Sequence, residues 1–250
     1  MRAFLIALQF LTRLPVRLRN PPSESELGRS LLAYPLVGLL IGGLLALLAT
    51  ALSVGRIPDL LAAALVLAAW TLVTGGLHLD GLADSADAWI GGHGERERTL
   101  AIMKDPRCGP MAVTTLVVIL LLKFGALAAL SAGGTGWPIL LAPLLGRTAL
   151  PLLFLTTPYM RPGGLGSALS AHLPRKAAAA TVALVGIAVL AGFGWAGGLG
   201  LATALAMFLL LRRMMLATID GTTGDTAGAL VEMVETGVLV AMASAGWVLT

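Results

Sequence analysis

Hydrophobic residues along this chain form long, nearly uninterrupted runs rather than the spaced stripes of a helix that faces water on one side. Each run is close to the ~20 residues that an α-helix needs to cross the hydrocarbon core of a bilayer. Gly-rich breaks such as "SAGGTGWP" and "GFGWAGGLG" predict short turns between neighbouring runs. The pattern predicts an all-α, polytopic transmembrane bundle of about seven spans, over residues 31–55, 59–78, 111–132, 137–157, 177–197, 198–217 and 230–249.

The N-terminal segment "MRAFLIALQFLTRLP" departs from this pattern, because its apolar stretch is short and is flanked by basic residues. No small-residue cleavage site follows it, so we expect a retained helix at the membrane interface rather than a signal peptide. No long linker, low-complexity tract or soluble segment interrupts the rest of the chain. Residues 1–250 are therefore predicted to form a single integral-membrane catalytic domain.

Composition agrees with a membrane protein. The chain is 57% hydrophobic and 12% charged, whereas soluble domains carry about a quarter charged residues. The net charge of +4 is modest and is typical of basic cytoplasmic loops, so we expect no nucleic-acid partner. The single cysteine, Cys108, excludes an internal disulfide. The sequence leaves homo-oligomerisation open.

Basic residues predict the orientation. With seven spans, all the basic clusters fall on one side of the bilayer, and the intervening connections hold only Arg56. The positive-inside rule makes that side cytoplasmic, so residues 91–107 and 158–176 are expected to face the cytoplasm from the cell (inner) membrane. The clusters consist of Arg13, Arg17, Arg19, Arg29, Arg96, Arg98, Lys104, Arg107, Arg161, Arg175, Lys176, Arg212 and Arg213.

The stretch "GGLHLDGLADSADAW" places three carboxylates at the cytoplasmic end of the second span. Asp80, Asp84 and Asp87 have i, i+4, i+7 spacing, which puts them on one face of a helix. Three carboxylates on one face repel one another, and a divalent cation with a preference for oxygen ligands, such as Mg²⁺, relieves that repulsion. The alternative is a solvated helix end with incidental acids. His78 lies just before the first aspartate and is a candidate acid–base residue near neutral pH, although such a histidine is commonly structural.

A second acidic stretch, "IDGTTGDTAGALVEMVE", lies on the same predicted side. Its "GTTGDT" segment is typical of a loop that enters a helix, where backbone N–H groups bind phosphate, so Thr223 and Gly224 are candidate substrate contacts. Asp225 is expected to complete the metal cluster, because "TGDT" offers a second acidic helix start on the same face. The two stretches together predict two acidic helix starts that face one cytoplasmic cavity.

Two basic residues fall inside apolar runs, namely Lys123 and Arg147. Basic residues inside a membrane usually face a cavity or an acidic partner. Arg147 is the candidate phosphate contact, because a guanidinium matches the geometry of phosphate oxygens. For Lys123, substrate binding and a structural ion pair both stay open. Lys104 and Arg107, on the predicted cytoplasmic face, are further candidate substrate contacts.

Taken in order, several segments resemble the cobalamin synthase family, whose members are adenosylcobinamide-GDP ribazoletransferases. The resemblance spans nearly the whole chain and rests on "FLTRLPV", "YPLVGLLIG", "TGGLHLDGLADSADAW", "RTLAIMKDPRCGP", "RPGGLGSAL" and "GTTGDTAGALVEMVE". Two positions depart from the family pattern: "KDPRCGPMA" replaces an Asp-Ser-Arg segment, and Asp220 replaces a glycine. Neither departure touches the three-aspartate motif.

The resemblance implies transfer from adenosylcobinamide-GDP to α-ribazole, or to its 5′-phosphate, with release of GMP and formation of adenosylcobalamin or its phosphate. It also implies Mg²⁺ as cofactor, since phosphoryl transfer depends on charge neutralisation and alignment. One alternative is a CDP-alcohol phosphotransferase, but its Asp-Gly-(two residues)-Ala-Arg core is absent, because "DGLA" is followed by Asp84 and not by an arginine. The other is an ion-coupled secondary transporter, which predicts charges near the bilayer midplane and matched broken helices.

Overall fold

The computed structural model describes residues 1–132 and 136–246. All regular elements within these residues are helical, apart from an isolated bridge between Tyr159 and Thr222. A 3₁₀ turn, Leu31–Ala33, connects α2 to α3. In chain order the helices are α1 (Arg2–Leu11), α2 (Glu24–Ser30), α3 (Tyr34–Val54), α4 (Asp59–Thr74), α5 (Leu77–Gly91), α6 (Arg96–Ile102), α7 (Pro110–Ala132), α8 (Trp137–Thr156), α9 (Leu165–Ala171), α10 (Arg175–Ile219) and α11 (Gly224–Gly246).

Helices α3, α7, α8, α10 and α11 are long and apolar enough to cross a membrane, and α4 with α5 passes the same test as a bent pair. This confirms the predicted all-α membrane bundle and its short N-terminal helix, α1. The end of the predicted span 230–249 lies outside the described residues.

Helix α10 accounts for two of the predicted spans. Its 45 residues would extend roughly 67 Å if straight, about twice the thickness of a bilayer core. The backbone breaks at Gly194, with φ 53° and ψ −130°. A side chain on Gly197 would collide with the carbonyl of Val189, although eight residues of straight helix would separate the two by about 12 Å. The two arms of α10 therefore fold back on each other, as the "GFGWAGGLG" turn predicts.

The second predicted span, 59–78, extends too far. Helix α4 ends at Thr74, and Gly75 and Gly76 follow with φ of 64° and 69°. Glycine adopts this left-handed conformation without steric cost, so the pair ends α4 and starts α5 at an angle of 88°. His78 and the three aspartates consequently belong to a separate helix rather than to the end of α4.

The core is centred on α8, most of whose side chains are buried between α3, α10 and α11. Helices α3, α7 and α10 instead expose leucine, isoleucine and valine side chains, among them Leu47, Leu121 and Leu184. Exposed apolar surface of this extent suits contact with lipid.

The connections that carry most of the basic residues meet at one end of the bundle, called here the loop end. The N–H of Arg13 donates to the carbonyl of Val73 at 2.7 Å. The side chains of Arg96 and Asp220 approach to 3.6 Å, so the α5–α6 connection meets the α10–α11 connection. The loop between α8 and α9 is held to the same connection, because the N–H of Met160 donates to Thr222 at 2.8 Å.

Candidate active site

A cavity of about 290 Å³ opens at the loop end, between α5, α8, α11 and the loop that joins α8 to α9. Asp80, Arg161 and Asp225 form its charged wall and are called here the cavity group. Another part of the wall is apolar and partly aromatic, with Phe10, Tyr34, Leu77, Leu150 and Phe154. A cavity with one ionic and one aromatic wall suits a ligand that has both an anionic and a flat apolar part.

Two glycines allow α5 and α11 to approach closely. A Cβ on Gly81 would lie 2.7 Å from the carbonyl oxygen of Asp225, and a Cβ on Gly228 would lie 3.3 Å from the Cα of His78. The contact at Gly81 is too short for a side chain unless the backbone shifts, and the contact at Gly228 is tight. The close packing brings Asp80 and Asp225 to the same cavity, so the predicted meeting of two acidic helix starts is present in the structure.

Arg161 pairs with Asp225, with 2.8 Å between Nη2 and Oδ2. The sequence interpretation counted Arg161 only as a basic loop residue and did not assign it to the site. The available signal was its place in "RPGGLG", a turn-forming segment on the face predicted to carry the acidic stretches. The segment also supplies Gly163, Gly164 and Gly166 to the cavity wall.

Tyr159 is a second cavity residue that sequence reasoning missed. Its ring packs against Gly166, where a Cβ would collide with the phenol. Burial raises the pKa of Tyr159, while the nearby Arg161 opposes that change. The phenol therefore stays protonated near neutral pH and can donate a hydrogen bond into the cavity.

The other two predicted metal ligands differ in their surroundings. Asp84 is partly exposed and experiences the charges of both Asp80 and Asp225. Asp87 instead accepts hydrogen bonds from the backbone N–H groups of Gly109 at 2.6 Å and Ala112 at 2.9 Å. It thus satisfies donors at the start of α7, as an N-cap residue does, although it comes from another helix.

The donor set suits a hard divalent cation only in part. Asp80, Asp84 and Asp225 offer carboxylate oxygens, the ligands that Mg²⁺ prefers. Both oxygens of Asp87 are engaged by backbone donors, and one oxygen of Asp225 is engaged by Arg161. Within residues 1–132 and 136–246, no three His, Cys, Asp or Glu side chains are grouped so as to hold a metal ion.

Lys123 and Arg147 lie in a second group of charges, called here the buried charge cluster, together with Glu232 and Glu235. Lys123 Nζ lies 2.5 Å from Glu232 and 2.7 Å from Glu235, and it stands 4.5 Å from the centre of the Trp70 ring. Arg147 pairs with Glu235, and all four side chains are buried. The structural ion pair left open for Lys123 is present, and neither Lys123 nor Arg147 belongs to the cavity wall.

His78 connects the two groups of charges. It lines the cavity, and its Nδ1 lies 3.5 Å from Nη2 of Arg147. Because a guanidinium only donates hydrogen bonds, Nδ1 acts as the acceptor and the ring proton belongs on Nε2.

The remaining predicted contacts are dispersed. Gly224 lines the cavity, whereas Thr223 is buried and its N–H donates to the hydroxyl of Thr226. Lys104 and Arg107 are exposed and lie outside the cavity wall. Arg107 hydrogen-bonds to Asp105 and lowers the pKa of that carboxyl to about 2. Arg107 is therefore engaged by a neighbour in its own loop.

Comparison with known proteins gives one consistent result. Residues 3–243 match the family model described as cobalamin-5-phosphate synthase. A protein of Pseudomonas paraeruginosa named adenosylcobinamide-GDP ribazoletransferase is 57% identical over 243 residues, which cover 97% of this chain and 98% of that protein. A protein of the same name from Pseudomonas fluorescens is 58% identical over 243 residues, which cover 97% and 99%. No solved structure matches the chain.

Proposed function

Because the chain belongs to the cobalamin-5-phosphate synthase family, we propose that it is a membrane-embedded transferase that joins adenosylcobinamide-GDP to α-ribazole or its 5′-phosphate. The reaction breaks the bond between the two phosphates of the GDP moiety. A free ribose hydroxyl of ribazole, other than the 5′-hydroxyl, attacks the corrinoid-linked phosphorus and loses its proton. GMP leaves, any 5′-phosphate of the acceptor is retained, and the product is adenosylcobalamin or its 5′-phosphate.

The observation that carries this proposal is the cavity at the loop end, which has an ionic wall and an aromatic wall. The nucleotide of the substrate has two matching parts, since its diphosphate is anionic and its base is flat and largely apolar. Phosphoryl transfer requires little covalent participation by the protein, so alignment and charge neutralisation account for most of the catalysis. Asp80 is exposed on the ionic wall and is the carboxylate best placed to act there.

We further propose Mg²⁺ as the cofactor, for which Asp80, Asp84 and Asp225 would be the ligands. Because these carboxylates are not grouped around one point in this structure, their side chains would have to turn toward the ion. Such an ion neutralises phosphate charge and orients the two reacting groups. Asp87 stays a predicted ligand, although its carboxylate is engaged at α7. His78 is proposed to orient the ribose hydroxyl, a role supported by its place in the cavity wall.

We also propose that the loop end faces the cytoplasm, as the positive-inside rule predicts. Cys108 is exposed in the connection between α6 and α7 and is the single cysteine of the chain, so it reports on this side. A membrane-impermeant thiol reagent is expected to label Cys108 in inverted membrane vesicles but not in intact cells. Labelling in intact cells would contradict the orientation.

The activity is tested directly with detergent-purified protein, adenosylcobinamide-GDP, α-ribazole and Mg²⁺, with GMP and the corrinoid product separated by chromatography. We expect equimolar GMP and corrinoid product, and loss of both when a chelator is added. Failure of properly folded protein to form GMP would contradict the proposed function. Activity that persists in chelator would contradict the metal alone.

A further inference from the structure

We propose that Arg161 is a phosphate-binding residue of this site, and that its ion pair with Asp225 is exchanged when substrate and cation bind. Arg161 then holds the diphosphate of the nucleotide, and Asp225 becomes free to ligate the cation. The inference rests on the proposed function, because it assigns two residues of that same site.

The first support is the position of the guanidinium. Arg161 is the only lysine or arginine in the cavity wall, within the part of the chain that the structure describes. Its Nη2 donates to Asp225, whereas its Nε is buried and has no hydrogen-bond partner among the described residues. A guanidinium has five N–H donors in a planar fork that matches phosphate oxygens, so the bond to Asp225 leaves terminal N–H donors for an anion, and Nε could bond to it only after the side chain turns.

The second support is the charge of the cavity. Asp80 and Asp225 contribute two negative charges to its wall and Arg161 contributes one positive charge. A diphosphate that entered this site alone would meet a net negative wall, and a divalent cation alone would compete with Arg161 for Asp225. Entry of both together gives each charged group a partner of opposite sign, because the cation takes the carboxylates and Arg161 takes the phosphates.

The third support is the anchoring of the loop. The N–H of Thr222 donates to the carbonyl of Pro158 at 2.8 Å, and the carbonyl of Thr222 accepts from the N–H of Met160 at 2.8 Å. Arg161 and Asp225 are each three residues or fewer from these bonds. Only side chains need to move for the exchange, since the backbone already holds both residues at the cavity.

The exchange predicts thermodynamic coupling, which is measurable without turnover. Mn²⁺ binding is measured by electron paramagnetic resonance, and GDP binding by calorimetry, each in the presence and absence of the other. In the wild-type protein each ligand is expected to raise the affinity of the other by the same factor, about tenfold, as linkage requires.

The Arg161→Gln variant separates this proposal from a structural role. Without the competing guanidinium, Mn²⁺ alone is expected to bind about tenfold more tightly, while GDP binds at least about tenfold more weakly at saturating Mn²⁺. Arg161→Lys retains the positive charge but not the planar pair of donors. Its Mn²⁺ affinity should therefore stay near that of the wild type, and its GDP affinity should lie between those of the wild type and Arg161→Gln. Arg2→Gln is the matched control, because Arg2 forms a 2.8 Å pair with Glu26 away from the cavity wall.

Weaker or unchanged Mn²⁺ binding in folded Arg161→Gln protein would overturn the exchange, as would unchanged GDP affinity. Absence of Mn²⁺ binding by the wild type would also overturn it. Wild-type protein that binds both ligands in the expected pattern but forms no GMP from the two substrates would contradict the proposed reaction while supporting the exchange.

Discussion

Helix α11 contributes acidic residues to two groups of charges that lie in opposite surroundings. Near its start, Asp225 belongs to the cavity group, which is partly exposed and has two acids for one guanidinium. Two to three turns later, Glu232 and Glu235 belong to the buried charge cluster, where two acids balance Lys123 and Arg147. The comparison teaches that acidic and basic residues in a membrane helix indicate a ligand site only where their charges are unequal in number and border a cavity.

The largest effect is expected from Lys123→Met, which tests whether the buried charge cluster is structural. The substitution leaves Glu232 and Glu235 with one cation between them, and breaking a buried ion pair costs about 3–5 kcal/mol of unfolding free energy. Thermal denaturation in detergent measures the loss. Lys176→Met, at an exposed lysine, is the control.

The double variant Lys123→Met/Glu232→Gln sharpens this test. It removes one charge of each sign and leaves the Arg147–Glu235 pair balanced. We expect at least half of the lost stability to return, with turnover per folded molecule near that of the wild type. Full stability of Lys123→Met alone would contradict the structural role.

The next effect is expected in the cavity group. Asp80→Asn keeps the shape of the side chain but removes its charge, so turnover is expected to fall about 100-fold while the thermal stability is unchanged. GMP release under saturating substrate measures turnover. Asp59→Asn, at the exposed start of α4, should retain wild-type activity. An Asp80→Asn protein that is unstable rather than inactive would erase the distinction between the two groups.

A smaller effect on turnover is expected from Gly81→Ala, where α5 packs against α11. The methyl group of Gly81→Ala would meet the carbonyl of Asp225, so the two helices must separate by several tenths of an ångström or more. We expect turnover to fall about tenfold, since small displacements of reacting groups are costly. Gly125→Ala is the matched control, because a Cβ there has no atom within 4 Å. Equal activity of the two variants would show that the approach of the helices does not matter.

The smallest effect is expected from Asp87→Asn. The amide retains one acceptor for the start of α7, so stability should fall by about 1 kcal/mol. If the carboxylate serves mainly as this cap, turnover should change less than fivefold. A loss of turnover as large as that of Asp80→Asn, with stability intact, would instead identify Asp87 as a metal ligand.

Local patterns were sufficient to predict most helices and the shared cavity of Asp80 and Asp225. Apolar run length determines which segments cross a bilayer, and helix periodicity determines which aspartates share a face. The break between α4 and α5 had a local signal, namely the pair Gly75-Gly76. Because the apolar run continues to Leu77, the predicted span was nevertheless extended past the pair.

The Arg161–Asp225 pair and the capping of α7 by Asp87 had no such signal. Their partners are 64 and at least 22 residues apart in sequence, and only tertiary packing brings them together. The same limit explains why the sequence assigned Arg147 to a phosphate contact rather than to an ion pair with Glu235. A buried arginine requires an acid, but the sequence offered both the cavity aspartates and the glutamates of α11, and helix packing selected Glu235.

The buried charge cluster also has a consequence for the order of synthesis. Lys123 and Arg147 lie in α7 and α8, but the glutamates that neutralise them lie in α11, about 90 to 110 residues later. Because the ribosome releases the chain N-terminus first, two cations enter the nascent bundle before any acid of the cluster has been made. The last helix thus supplies both the counter-charge and the Asp225 wall of the cavity, so a chain truncated before α11 would be recognisable to membrane quality control by its two uncompensated cations.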